Sequence, residues 1–171
     1  ARLAAERRPA RGDADEALLA FLVGSIHSAR TPLIASMAMA MAITLAAYEV
    51  TGAAIFLLPA ALHVVIGLGR LERLAVYRSY ERKGLTRRQV VGCDIAFACW
   101  STLYALAIGF TCYKLTLLGG STETFALALA TCTGFTLAFV TRSAGRPCTL
   151  ALQVAGVALP QATSLLIQPF P

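Results

Sequence analysis

Four polar side chains fall inside long apolar runs of this sequence: His63, Asp94, Gln153 and Gln161. A group of that kind in lipid has no water to bond to, which makes each a candidate ligand-sensing residue. His63 lies near the middle of its run and suits a bound ligand, a proton sensor or an axial haem ligand. The plainer reading is a neutral imidazole bonded to a neighbouring helix, because burial disfavours the imidazolium. The one other histidine, His27, falls in a different segment, so a two-histidine haem site lacks its second ligand. Asp94 stands about one turn into its run, with Arg87 seven residues earlier on the same helical face. It is expected to pair with Arg87 near headgroup level, or to make a polar contact across a helix bundle. At the bilayer centre an aspartate costs ~2.5–3.5 kcal/mol, so a position near the interface favours the pairing. Gln153 and Gln161 are eight residues apart and share a face, with Pro160 freeing a backbone carbonyl between them. They are expected to hold a small polar ligand together, or to bond separately to other helices at ~0.6–2 kcal/mol each.

Other chemistry is not written in the chain. There is no GxxxxGK[ST] phosphate loop, no HExxH zinc pair and no GxSxG nucleophile turn, so no catalytic residue and no metal site is expected. Cys93, Cys99, Cys112, Cys132 and Cys148 are scattered without a CxxC pair and read as small buried hydrophobes. Trp100 reads as packing. The formal net charge of +6 does not point to nucleic acid, because the basic residues cluster at the ends of apolar runs instead of covering one polar face.

The elements that must carry these residues are membrane helices. Apolar residues make up 57% of the 171 and charged residues 14%, with a mean hydropathy of +0.68. Roughly a quarter of a soluble domain is charged, so this chain lacks the polar surface to cover itself. The expected fold is all-α, a polytopic transmembrane bundle behind an amphipathic helix. Residues 1–13 read as a disordered basic arm and 14–29 as an interfacial helix, with Leu18, Leu19, Leu22, Val23 and Ile26 on its apolar side. Residues 30–171 form the bundle. Its five spans are expected at 32–48, 53–68, 90–113, 124–141 and 149–167, each near the length a bilayer requires. The second helix is expected to continue past the membrane through Arg70 to Lys83, with Gly84 as its stop. Small residues recur four apart at Ser36/Ala40, Gly92/Ala96 and Gly134/Ala138, a spacing that allows close helix approach and self-association.

Orientation follows from the basic residues. The polar island at 69–89 holds Arg70, Arg73, Arg78, Arg82, Lys83, Arg87 and Arg88. With the N-terminus in the cytoplasm, these seven fall on the cytoplasmic side together with Arg2, Arg7, Arg8, Arg11, Arg30, Arg142 and Arg146. Lys114 alone falls outside. That asymmetry is the signature of an inner-membrane protein whose positive loops stay in the cytoplasm. Tyr48, Tyr113 and Phe125 then mark the outer rim, and Tyr77 and Tyr80 the inner side. Five spans leave Pro171 outside, so a sixth span is expected beyond it.

Three stretches carry a resemblance to a family. Arg30-Thr31-Pro32-Leu33 opens the first span. An Arg-rich helix end after the second span is followed by Trp100 in the third. Thr141-Arg142-Ser143-Ala144-Gly145-Arg146-Pro147 is followed by Gln153 and Pro160. Together they resemble the MASE-type membrane input region at the N-terminus of bacterial diguanylate cyclases with GGDEF, sometimes GGDEF-EAL, domains. In that family an "RNxGxP…Q…P" run lies between spans four and five. Ser143 here replaces the usual Asn, and His63 replaces an aromatic. The resemblance implies six spans, a homodimer, and a downstream cytoplasmic domain that would hold magnesium and GTP. None of that domain's carboxylates lies on this chain. A sensory input to cyclic di-GMP synthesis is the expectation. The alternatives are a small multi-pass transporter or channel subunit, for which a polar path or inverted repeat is missing, and a structural anchor or dimerisation module.

Overall fold

The computed structural model describes residues 18, 21, 23, 24, 30–82, 86–143 and 145–167. The chain is all-helical, and five of its helices are long and apolar enough to span a membrane. They are α1 (Arg30–Thr51), α2 (Leu57–Glu81), α3 (Arg87–Gly119), α4 (Thr122–Ser143) and α5 (Pro147–Ile167), with a 3-10 turn (Ala54–Phe56) leading into α2. Short connections fold consecutive helices back on one another.

Local signals set the ends. Pro32, Pro59 and Pro147 all stand in first turns, where a missing N–H removes no helical bond. Gly52 and Gly120 adopt positive φ, 65° and 62°, to stop α1 and α3 in the left-handed conformation that favours glycine. At the start of α3 the Thr86 N–H and hydroxyl both donate to Gln89 Oε1, at 3.0 and 2.9 Å, in a capping box. The helices run past the expected spans at several ends, most of all α3. It continues beyond Tyr113 to Gly119 because Leu115-Thr116-Leu117-Leu118 extends the apolar run beyond Lys114. Lys114 itself lies against the Phe110 and Tyr113 rings, at 5.8 and 5.4 Å.

α3 is the axis of the bundle. Half of its span is buried, against less than two fifths in every other helix, and it packs on all four of them. Its Tyr104, Ile108, Cys112 and Leu115 form the spine of the main core. The α3–α5 approach is closest at Gly109 and Gly156, where a Cβ on Gly109 would overlap the Gly156 carbonyl oxygen. The outer faces are apolar, with Leu58, Leu68, Leu137, Leu159 and Leu166 all more than three-fifths exposed. A soluble monomer does not leave such a surface to water.

Two expected packing motifs behave differently. A Cβ added at Gly92 or Gly134 would meet nothing within 4 Å among the described residues, so these glycines face outward and pack against no described helix. The close contact uses Ala105 and Gly109 instead, a pair of small residues four apart that the sequence also displays. Of the interfacial helix expected over 14–29, Leu18, Phe21, Val23 and Gly24 are described, and all four are helical. Leu18 and Phe21 are exposed, whereas Val23 is buried with Tyr77, Val90 and Cys93. Val23 thus seats against the ends of α2 and α3. The arm at 1–13, His27, Lys83 and the stop at Gly84 lie outside the described residues.

Candidate functional site

Apart from Lys114, the described basic side chains gather at one end of the bundle, where α2 ends, α3 begins and α4 turns into α5. The sequence reads them all as topology markers on a polar rim. Arg73, Arg82, Arg87 and Arg88 are exposed, but Arg70, Arg78 and Arg142 are half-buried and Arg146 is buried.

Arg146 is held inside by Asp94. Arg146 Nε lies 2.6 Å from Asp94 Oδ1, with the two side chains 9% and 31% exposed. Its guanidinium also lies over the Phe97 ring at 5.4 Å. Nη1 and Nη2 are buried without a hydrogen-bond partner. Burial pulls the guanidinium's pKa below the ordinary arginine value and Asp94 pulls it back up; arginine stays charged in either case. Asp94 therefore makes a contact across the bundle, and the expected pairing with Arg87 does not form. Arg87 belongs to the first turn of α3 and points to the surface, while Arg146 caps α5 directly against the α3 face that carries Asp94.

The α4–α5 corner is tied by its own bonds. The Arg146 N–H donates to Ser143 O at 2.9 Å and the Leu150 N–H to Arg146 O at 2.9 Å. Ser143 Oγ donates to Gln153 Oε1 at 2.9 Å. Gln153 is fully buried and its Nε2 has no partner. Gln161, farther along α5, donates from Nε2 to Thr116 Oγ1 of α3 at 3.0 Å. The two glutamines therefore serve different helices and do not converge on one ligand. Their bonds are of the interhelical kind, worth ~0.6–2 kcal/mol each.

His63 is buried in the middle of the bundle, and both ring nitrogens lack a hydrogen-bond partner. The gap beside the ring, bordered by Thr44, Thr111 and Thr131, has no room for a water. The Thr44 and Thr111 hydroxyls already donate to Ala40 O and Ala107 O, at 2.7 and 2.9 Å. Contrary to the plainer expectation, the imidazole makes no bond to a neighbouring helix. It packs as a ring, edge-on to Tyr104 with centroids 5.4 Å apart.

Tyr104 is the residue that reading by type and spacing misses. It is fully buried, donates its hydroxyl to Ser36 O of α1 at 2.6 Å, and meets Phe135 and Phe139 of α4 edge-on at 5.9 and 6.2 Å. The Arg70 guanidinium of α2 lies over its ring at 5.4 Å, and Arg142 of α4 is close enough to act on both Tyr104 and Arg70. One side chain of α3 thus touches α1, α2 and α4. The signal was Tyr104 standing seven residues after Phe97, on one face of the longest apolar run.

Among the described residues no three His, Cys, Asp or Glu side chains gather to hold a metal ion. The chain matched no protein-family model, no curated protein and no solved structure.

Proposed function

We propose that this bundle is a membrane-embedded signal-input domain of the bacterial inner membrane, with its basic end in the cytoplasm, acting on a cytoplasmic diguanylate cyclase as a homodimer. The observation that carries the reading is the α4–α5 corner. The stretch on which the family resemblance rests runs through Ser143, Arg146 and Gln153, and these three are tied together: Ser143 bonds to Gln153, the Arg146 N–H donates to Ser143 O, and the Arg146 side chain pairs with Asp94 of the central helix. A corner fixed by a partly buried ion pair to the axis of the bundle is suited to pass a rearrangement of α5 to α3 and on to the basic end. Such coupling requires that a ligand or membrane change bind one of two packings better than the other. The five described spans are continuous helices, without the mid-membrane breaks on which transporter sites are commonly built.

The test compares cyclic di-GMP in cells carrying the full reading frame, the same frame with residues 30–167 deleted, and the frame with Asp94→Leu or Gln153→Leu at matched protein level. Altered regulation with unchanged assembly supports an input domain. Unchanged regulation in every variant reduces the bundle to an anchor. A reading frame without a cyclase after Pro171 removes the cyclase part of the proposal.

A further inference from the structure

The surface shared by α3 and α5 carries a groove of about 630 Å³. Thr102, Leu106 and Tyr113 line it from α3, and Leu152, Leu159, Thr163 and Ile167 from α5. Gly156 is buried on its floor and brings no side chain to fill it. Leu106, Leu152, Leu159 and Ile167 are exposed, so the groove opens toward lipid. Its hydroxyls are turned to other uses. Thr163 Oγ1 donates to Leu159 O and Pro160 O of its own helix, at 2.8 Å each. Thr102 Oγ1 is covered by neighbouring atoms. Below the Tyr113 ring the groove therefore offers mainly hydrocarbon surface.

The dimensions say what fits. Thr102 and Tyr113 are three turns apart on one face of α3, about 16 Å along the helix axis. One leaflet of the hydrocarbon core is about 15 Å deep, so the groove is as long as one leaflet is thick. Spread over that length, its volume gives a mean cross-section of about 40 Å². A helix 10 Å across has about 80 Å² and is too wide to enter, whereas an extended hydrocarbon chain is not. The groove also ends beside a charge. Lys114 Nζ lies 5.4 Å from the centroid of the Tyr113 ring, at the end of the bundle opposite the arginine cluster. Glu49 and Glu123, also at that end, are exposed and line no part of the groove. Cation, aromatic rim and apolar slot thus follow in the order of a lipid's phosphate, ester region and chain.

We propose that the α3–α5 groove holds one acyl chain of a glycerophospholipid from the leaflet opposite the arginine cluster, with Lys114 and Tyr113 at its headgroup. An apolar slot with a few polar groups at one end is the usual form of a small-molecule site, and its volume falls within the usual range. The inference rests on the bundle lying in a membrane and not on what it signals to.

In the experiment the protein of the full reading frame, stripped of lipid in dodecyl maltoside, is titrated with dioleoylphosphatidylcholine, and bound lipid is counted by native mass spectrometry. One tightly held molecule per chain is expected. Thr163→Trp and Ala155→Leu each push a larger side chain into the groove and should weaken that binding about 10-fold or more, the burial of two or more methylenes. Leu137→Trp, on the exposed outer face of α4, should leave it within about twofold. Lys114→Gln should weaken it about 2- to 5-fold, the range of an exposed ion pair. Dioleoylglycerol has the same chains without the phosphate and should not distinguish Lys114→Gln from wild type; if it does, the headgroup assignment is overturned. If Thr163→Trp does not fold, Ala155→Leu carries the test. No tightly held lipid overturns the proposal, as does equal weakening in Leu137→Trp and the groove variants. A groove variant that turns dimers into monomers with the lipid count unchanged also overturns it and assigns the groove to a second copy of the chain.

Discussion

Asp94→Leu strands the Arg146 guanidinium in the bundle, and its cost can be worked from the geometry. Removing one partner of a fully buried ion pair costs about 3–5 kcal/mol, because the other charge is left uncompensated. Two features lower that figure here. The Asp94 side chain is 31% exposed against 9% for Arg146, so water reaches the carboxylate and the pair is only half sequestered. The Phe97 ring continues to hold the cation, a contact worth ~0.5–2 kcal/mol. The expected loss is therefore about 2–3 kcal/mol. Arg146→Leu strands the better-hydrated partner and should cost less, about 1–2 kcal/mol. The double variant Asp94→Leu/Arg146→Leu leaves no charge behind and should return to within about 1 kcal/mol of wild type, as apolar replacement of buried pairs commonly does. The assay is SDS-induced unfolding of the purified protein in mild detergent, followed by far-ultraviolet circular dichroism. Arg87→Gln serves as control and should change stability by less than about 0.5 kcal/mol. The reasoning is refuted if Asp94→Leu is as mild as the Arg87 control, or if the double variant loses the sum of the two single losses.

The remaining predictions use the same assay. His63→Leu removes a buried group with two unpartnered nitrogens and should stabilise the bundle by about 1 kcal/mol; a loss would mean that the imidazole has a partner. Tyr104→Phe deletes the bond to Ser36 O and should cost about 0.5–1.5 kcal/mol, with helicity retained. Gly109→Ala gains up to ~1 kcal/mol of helix propensity but drives a methyl into the Gly156 carbonyl. The clash, about 1–3 kcal/mol, should prevail and lower the unfolding midpoint. Gly134→Ala gains the same propensity into open space and should raise the midpoint.

What could be read from the sequence follows from the reach of each signal. The five helices were legible because apolar run length is a local property, and the turns at Gly52 and Gly120 because few residues other than glycine accept positive φ. Partners were not legible. Arg87 seemed the natural mate of Asp94 because it lies on the same helix, but Arg146 arrives from another helix, and no periodicity reports the register between two helices. The same ignorance of register hid the Gly109–Gly156 contact and promoted Gly92 and Gly134, which have identical composition but face outward. Tyr104 was passed over because a tyrosine in an apolar run is commonly an interfacial aromatic; only the fold places it under Arg70. The bond from the Ser143 hydroxyl to Gln153 was hidden in the same way, since it depends on how α4 and α5 meet at their corner.

α3 has 33 residues, about 50 Å of continuous helix, whereas a hydrocarbon core is only about 30 Å thick. A rod that outreaches its layer converts angle into distance. Tilting it by about 5° sweeps its tip sideways by about 4 Å over that length, comparable to the width of a side chain. The tip is where α2 ends and Val23 is seated, so a small lean in the lipid would be read out there as a displacement large enough to swap one set of neighbours for another.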